Sequence, residues 1–135
     1  MDRARHVYGL VLALSFGVAH AALAQSSNAT WQSTPASILK STLRNVVAAQ
    51  DKYRASHPGF ASSVEALRVT TESDVKVQIL GVTSSGWRAK ATHKARPGRS
   101  CVVFVGRLVA TEFPRTDGDG EMAGEERVPL CDRME

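Results

Sequence analysis

The acidic stretch near the C-terminus holds the residues best suited to bind a metal ion. Asp117, Asp119 and Glu121 occupy alternate positions, and a glycine follows each aspartate. Carboxylate oxygens on a tight turn suit Ca²⁺, which takes oxygen ligands at about 2.3–2.6 Å. An EF-hand also needs an acid at its twelfth position, and counting from Asp117 that position holds Val128. The pattern therefore has two interpretations, a calcium site and a solvated acidic loop, and we favour the loop.

A second candidate site is a run of basic residues that contains no acid. The run consists of Arg88, Lys90, Lys94, Arg96, Arg99 and Arg107. The first three are predicted to share one strand face and the next two to follow in a turn, an arrangement that attracts DNA and other anionic polymers. Trp87 is predicted on the opposite face, so no aromatic ring is available for base stacking. The acid-rich tail after the run can neutralise it within the fold, and we favour this interpretation.

The chain has two cysteines, Cys101 and Cys131. In an oxidising compartment an even number of cysteines indicates a disulfide, and two cysteines allow one connectivity. Closing a loop of about thirty residues contributes roughly 3–4 kcal/mol on the chain-entropy estimate. A catalytic thiol is the weaker interpretation, because neither cysteine has a CxxC partner or an adjacent histidine.

The histidines do not form a catalytic pattern. After residue 24 the chain contains His57 and His93, and neither belongs to a Ser-His-Asp ordering, an HExxH motif or a glycine-rich phosphate loop. A metal or catalytic pair would need the fold to bring the two rings together. We therefore predict that the protein is not an enzyme. The excess of 17 basic over 13 acidic residues is also too small to imply nucleic acid by itself.

These residues must be positioned by a helix followed by a sheet. Thr34 as N-cap and Pro35 in the first turn predict a helix that runs to about residue 55. Its apolar residues recur at steps of three and four and are Ile38, Leu39, Leu43, Val46, Val47 and Tyr53. The sequence His57-Pro58-Gly59 ends the helix.

A short second helix is predicted from a capping box with Ser62 as the cap and Glu65 as its partner. The period then changes from 3.6 to 2, which predicts strands over 75–79, 87–94 and 101–105 and a last edge segment over 128–131. Short turns between them indicate an antiparallel meander with one packed face. We predict an α+β domain over 35–135, a long amphipathic helix on a three- to four-stranded sheet. Tyr53, Phe60, Trp87 and Phe104 are expected in its core.

The N-terminus indicates export. Arg3 and Arg5 precede an apolar run over 7–18, and the small residues Ala22 and Ala24 precede a polar segment. This layout predicts a signal peptide over 1–24, a flexible lead-in over 25–34 and a periplasmic or secreted protein with no stable membrane span after cleavage. An uncleaved anchor is the alternative, although the run is shorter than the roughly 20 residues that a spanning helix needs.

The order of parts resembles a known family. The helix stretch 43–53 (LRNVVAAQDKY) leads into 57–67 (HPGFASSVEAL), and the middle strand 86–93 reads GWRAKATH. Over about 36–108 this is similar to the globular head of type IV pilins and of the major pseudopilins of type II secretion. The resemblance implies a pilin-head-like fold, contacts with pilus or type II secretion components, and calcium in the loop before the C-terminus.

The chain also departs from that family. A pilin is cut after a glycine that precedes Phe-Thr-Leu-Ile-Glu, and here no such motif follows Phe16-Gly17. A polar segment also separates the apolar run from the head helix. The resemblance therefore implies a filament-less head that acts through protein–protein contacts in the cell envelope. The alternative function is a stand-alone secreted module that binds an anionic ligand through the basic hairpin.

Overall fold

The computed structural model describes residues 33–134, so the predicted signal peptide over 1–24 and most of the lead-in lie outside the described residues. Helix α1 spans Pro35–Ser56. The Thr34 hydroxyl accepts a hydrogen bond from the Ser37 N–H at 3.2 Å, and Pro35 lies in the first turn, as predicted. The side of α1 that is buried consists of Leu39, Thr42, Leu43, Val46, Val47 and Gln50.

Helix α2 spans Val64–Leu67, and the prediction of its cap was wrong by one residue. Ser63, not Ser62, is the N-cap, and its hydroxyl accepts from the Ala66 N–H at 3.3 Å. The two serines carry the same side chain, so the cap is decided by where the helical backbone begins. Because Ser63 is still extended, Glu65 falls one position too early to complete a capping box.

The sheet contains four antiparallel strands in the order β1-β2-β3-β4. They are β1 (Val75–Val82), β2 (Gly86–His93), β3 (Ser100–Gly106) and β4 (Leu130–Cys131). The predicted meander is confirmed, but β1 continues past the predicted end through a register shift at 79–81. Strand β4 is shorter than predicted, because Pro129 has no N–H to donate to a ladder.

Strand β2 packs one face against α1 and turns the other away from it. Trp87, Ala89 and Ala91 are fully buried in the cluster that α1 covers, and they alternate with Arg88 and Lys90. We call the side packed on α1 the helix face. The predicted core is confirmed for Trp87 and, on the opposite side, for Phe104; Tyr53 and Phe60 are half-buried against the core.

Strand β3 is buried on both sides, which explains why its sequence is almost entirely apolar. Cys101, Val103 and Val105 belong to the helix face, whereas Val102 and Phe104 belong to a second cluster with Ala123. We call this opposite side, together with the segment 107–129 that covers it, the loop face. No helix within residues 33–134 is long and apolar enough to cross a bilayer.

Candidate functional site

The acidic and basic candidate sites contact each other on the loop face. The Lys90 Nζ lies 3.0 Å from the Asp117 Oδ1, and the Arg99 Nη1 lies 2.6 Å from the Asp119 Oδ1. Arg88 is 3.8 Å from the carboxylate of Glu112. Alternation along β2 directs Arg88 and Lys90 away from α1, and the segment 107–129 folds back over them. The opposite charges of the two segments therefore neutralise each other within the fold.

The remaining two basic candidates lie elsewhere. The prediction that Lys94 shares the strand face with Arg88 and Lys90 is wrong, because β2 ends at His93 and a turn begins there. The Lys94 Nζ is 3.3 Å from the Asp74 Oδ1, and the Arg96 Nε donates to the Met134 carbonyl at 2.9 Å.

Lys94 and Arg96 border a cleft of about 370 Å³ at the start of β1 and the end of β2. The five predicted anion-binding residues are thus divided between two places, and three of them pair with acids of the covering segment. Binding of an anionic polymer by the hairpin stays a prediction.

Asp132 organises the loop face, and the sequence analysis missed it. Its side chain is almost fully buried, and its Oδ2 accepts from the Ser100 N–H at 2.8 Å and the Gly118 N–H at 2.9 Å. Its Oδ1 accepts from the Asp119 N–H at 2.6 Å. Burial acts to raise the pKa of Asp132, but the Thr116 hydroxyl and these three N–H groups outweigh it and lower the pKa to about 2.

The carboxylate of Asp119 accepts hydrogen bonds in a similar way. Its Oδ2 accepts from the Arg133 N–H at 2.8 Å, and its Oδ1 contacts Arg99. The Arg133 N–H, followed by Arg99, lowers the pKa of the Asp119 carboxyl. Because Asp119 also donates its own N–H to Asp132, two carboxylates fasten the covering segment to the C-terminal strand.

The predicted calcium ligands have other partners in this structure. Asp117 and Asp119 contact Lys90 and Arg99, and the backbone of Glu121 exchanges hydrogen bonds with Thr116 at 2.9 and 3.0 Å. Within residues 33–134, no group of three acid, histidine or cysteine side chains is placed to hold a metal ion. Calcium at this loop stays a prediction, and binding would require the carboxylates to leave their basic partners.

The predicted disulfide is confirmed. Cys101 of β3 and Cys131 of β4 are directly opposite each other in the ladder and are bonded, at a sequence separation of 30. The bond attaches the C-terminal strand to the most buried strand of the sheet. It is consistent with an oxidising compartment.

The residues that carry the family resemblance contact each other. Gln50 of α1 is fully buried; its Nε2 donates to the Ala61 carbonyl at 2.8 Å, and its Oε1 accepts from the Ala61 N–H at 2.9 Å. This amide pair satisfies the backbone of the segment that leads from α1 to the sheet. Next to it, Arg54 lies 4.9 Å from the ring centre of Phe60.

Both histidines of residues 33–134 are used in local contacts. His93 accepts from the Ala95 N–H at its Nδ1, at 3.1 Å, in the turn after β2. The Nδ1 of His57 lies 2.9 Å from the Tyr53 carbonyl and 3.0 Å from the Ser56 hydroxyl. One ring closes a turn and the other caps the end of α1.

No protein-family model and no curated protein sequence matches this chain. The residues and their geometry are therefore the guide to function. Two features are the most specific. One is the pairing of Gln50 with Ala61, and the other is the fastening of the segment 107–129 by Asp119 and Asp132.

Proposed function

We propose that this chain is an exported, non-enzymatic protein with a pilin- or pseudopilin-like head that acts through protein–protein contacts in the cell envelope. Its partners are subunits of a pilus or of a type II secretion machine. In this proposal the signal peptide over 1–24 is removed, and the working protein begins near Gln25 in the periplasm or outside the cell.

The observation that carries the proposal is the amide pair between Gln50 and Ala61. These residues belong to the two stretches on which the resemblance depends, 43–53 and 57–67. A buried glutamine that satisfies a loop backbone in both directions is a specific device, since a buried polar group is tolerated only when it is paired. The pair supports the proposal because it is a specific contact between those two stretches.

Exposed apolar side chains on the covering segment support a role in protein contacts. Val109, Met122 and Val128 are 61%, 46% and 42% exposed. All three belong to the segment 107–129, and three of the six acids of this segment pair with basic residues of β2 and of the turn that follows it. Exposed apolar side chains on a segment that its own ion pairs hold against the sheet suit burial against another protein.

The test is photo-crosslinking in the cells that make the protein. A photoreactive residue replaces Val109 in the tagged full chain, and a matched variant carries it at Asn45, which is exposed on α1. We expect the Val109 variant to capture pilus or secretion subunits and the Asn45 variant to capture less. Capture of no envelope machinery at either position, or equal capture at both, would contradict the proposal.

The mass of the recovered protein tests export separately. Cleavage predicts an intact mass that corresponds to a start near Gln25, and the disulfide lowers that mass by two hydrogens. A full-length chain would show that the N-terminal segment is retained as an anchor.

A further inference from the structure

A cleft of about 360 Å³ opens between the C-terminal half of α1 and the helix α2. Its lining contains two cations and no acidic residue. The lining residues are Ala49, Lys52, Tyr53, Ser56, His57, Ala66, Leu67 and Arg68. By contrast, the cleft that Lys94 and Arg96 border also contains Asp74, which pairs with Lys94.

Arg68 occupies a strained backbone position at the rim of this cleft. It follows α2 with φ 53° and ψ 35°, in the left-handed region. Glycine is the usual residue at this position after a helix because it adopts the conformation freely. A side chain with a Cβ costs of order 1 kcal/mol there. The sequence thus keeps an arginine where glycine would be more stable.

A second arginine, Arg127, also has a positive φ, and the structure shows why an arginine is present there. Arg127 has φ 69°, and its guanidinium forms two hydrogen bonds with the Asp51 carboxylate of α1, at 2.5 and 3.3 Å. Asp51 raises the pKa of Arg127. Arg68 differs, because no hydrogen bond or ion pair within residues 33–134 engages its guanidinium; its backbone N–H alone bonds, to Glu65.

The rest of the cleft offers apolar and aromatic surface. Tyr53 and His57 stack in parallel, with ring centres 3.8 Å apart, and the contact between the His57 Nδ1 and the Tyr53 carbonyl fixes the imidazole. Ala66 and Leu67 of α2 supply aliphatic surface. A cation without an internal partner therefore lies next to two stacked rings and the aliphatic edge of α2.

We propose that this cleft binds a small organic oxyanion, a carboxylate or phosphate attached to an aromatic or other apolar group. The anionic group pairs with Arg68 and Lys52, and the apolar group packs against Leu67 and the stacked rings. Arginine suits this role because its planar fork binds carboxylate and phosphate in a bidentate way. The site is independent of the loop face and goes beyond the proposed envelope function.

The test is an NMR titration of the ¹⁵N-labelled protein, residues 25–135, with phenyl phosphate. Inorganic phosphate, phenylacetate and neutral benzyl alcohol serve as comparison ligands. We expect phenyl phosphate and phenylacetate, which carry both an anionic and an apolar group, to shift the amide signals of the cleft. Both should bind at least fivefold more tightly than inorganic phosphate, which lacks the apolar group, and than benzyl alcohol, which lacks the charge. Equal binding of inorganic phosphate or of benzyl alcohol would overturn the proposal.

Arg68→Gly and Arg127→Gly form a matched pair of variants. Each removes an arginine at positive φ, but only the first removes a charge from the cleft. We expect Arg68→Gly to weaken phenyl phosphate binding at least fivefold while its melting temperature stays the same or rises. Arg127→Gly should keep its affinity within twofold. Wild-type affinity in Arg68→Gly would overturn the proposal, and the melting temperature shows that the variant is folded.

Discussion

The two faces of the sheet are stabilised by different interactions. The helix face consists of apolar side chains that α1 covers, with Trp87, Ala89 and Ala91 fully buried. The loop face has a smaller apolar cluster around Phe104 and is fastened mainly by ion pairs and by the carboxylate of Asp132. Apolar burial depends little on pH and is not screened by salt, whereas charged contacts depend on pH and weaken as the ionic strength rises. The faces should therefore respond differently to the same change of conditions.

Trp87→Ala should give the largest loss of stability. Removing a fully buried tryptophan from the helix face leaves a cavity and costs about 3–5 kcal/mol in the free energy of unfolding. Urea denaturation followed by far-UV circular dichroism measures the loss. A loss below that of a matched substitution on the loop face, Phe104→Ala, would contradict the comparison.

Trp87→Phe sharpens this test. The indole Nε1 of Trp87 is the one fully buried side-chain N or O atom, within the described part of the chain, that has no hydrogen-bond partner. Phenylalanine keeps an aromatic ring and removes the unpaired N–H, whose burial is itself unfavourable. We therefore expect Trp87→Phe to lose much less than Trp87→Ala.

Removal of the disulfide should give the second largest effect. Replacing Cys101 and Cys131 together by serine is expected to cost about 2–4 kcal/mol in the free energy of unfolding. The bond attaches β4 to β3, so the loss should be accompanied by faster amide hydrogen exchange in residues 130–134. A double variant as stable as the oxidised wild type would show that the ladder alone holds β4.

Sequence patterns predicted the helix face well. The spacing of apolar residues in α1 and the alternation from Trp87 to Ala91 each depend on a period that one helix or strand determines locally. Burial of one face and exposure of the other then follow. The pairing of the two cysteines was equally accessible, because two cysteines leave one choice.

Sequence patterns predicted the loop face poorly. The role of Asp132 depends on N–H groups of Ser100, Gly118 and Asp119, which are brought together only by the path of the segment 107–129. No local spacing of residues in the sequence predicts that these N–H groups meet at one carboxylate. The prediction of Ser62 as the N-cap of α2 was wrong for a simpler reason. Either serine can cap a helix, and the residue at which the helical backbone begins determines which one does.

Asp132→Asn should distinguish the faces by pH. The pKa of Asp132 in the folded protein is about 2, below its unfolded value of 3.8, so the ionised carboxylate stabilises the fold. That contribution, about 2 kcal/mol, is complete above pH 5 and is lost as the pH falls from about 4 to 2.

The variant should lose about 2 kcal/mol at pH 7 and show a flatter acid transition than the wild type. Denaturation curves between pH 2 and 7 provide the measurement. Asp74→Asn is the matched control, because Asp74 is exposed and pairs with Lys94 at the surface. An equal change of slope in both variants would contradict the role of Asp132.

The ion pair between Lys90 and Asp117 should contribute less. Both side chains remain partly exposed, at 22% and 37%, and the coupling energy of such a pair is about 0.2–1 kcal/mol. A double-mutant cycle with Lys90→Ala and Asp117→Ala measures it, and 1 M salt should reduce it. No coupling at low salt would mean that the apolar cluster, not charge, holds the segment.

Calcium should have the smallest effect, and its outcome decides between the two interpretations of the acidic stretch. Asp117 and Asp119 already contact Lys90 and Arg99, so a calcium ion would have to replace two protein cations whose positions the fold determines. We expect the melting temperature to be the same in millimolar calcium and in chelator. A calcium-dependent rise that Asp117→Ala abolishes would establish the calcium site instead. Lys90→Ala makes the test more stringent, because it releases Asp117 without removing a carboxylate. If that variant also fails to respond to calcium, the carboxylates of the covering segment serve to hold it against the sheet.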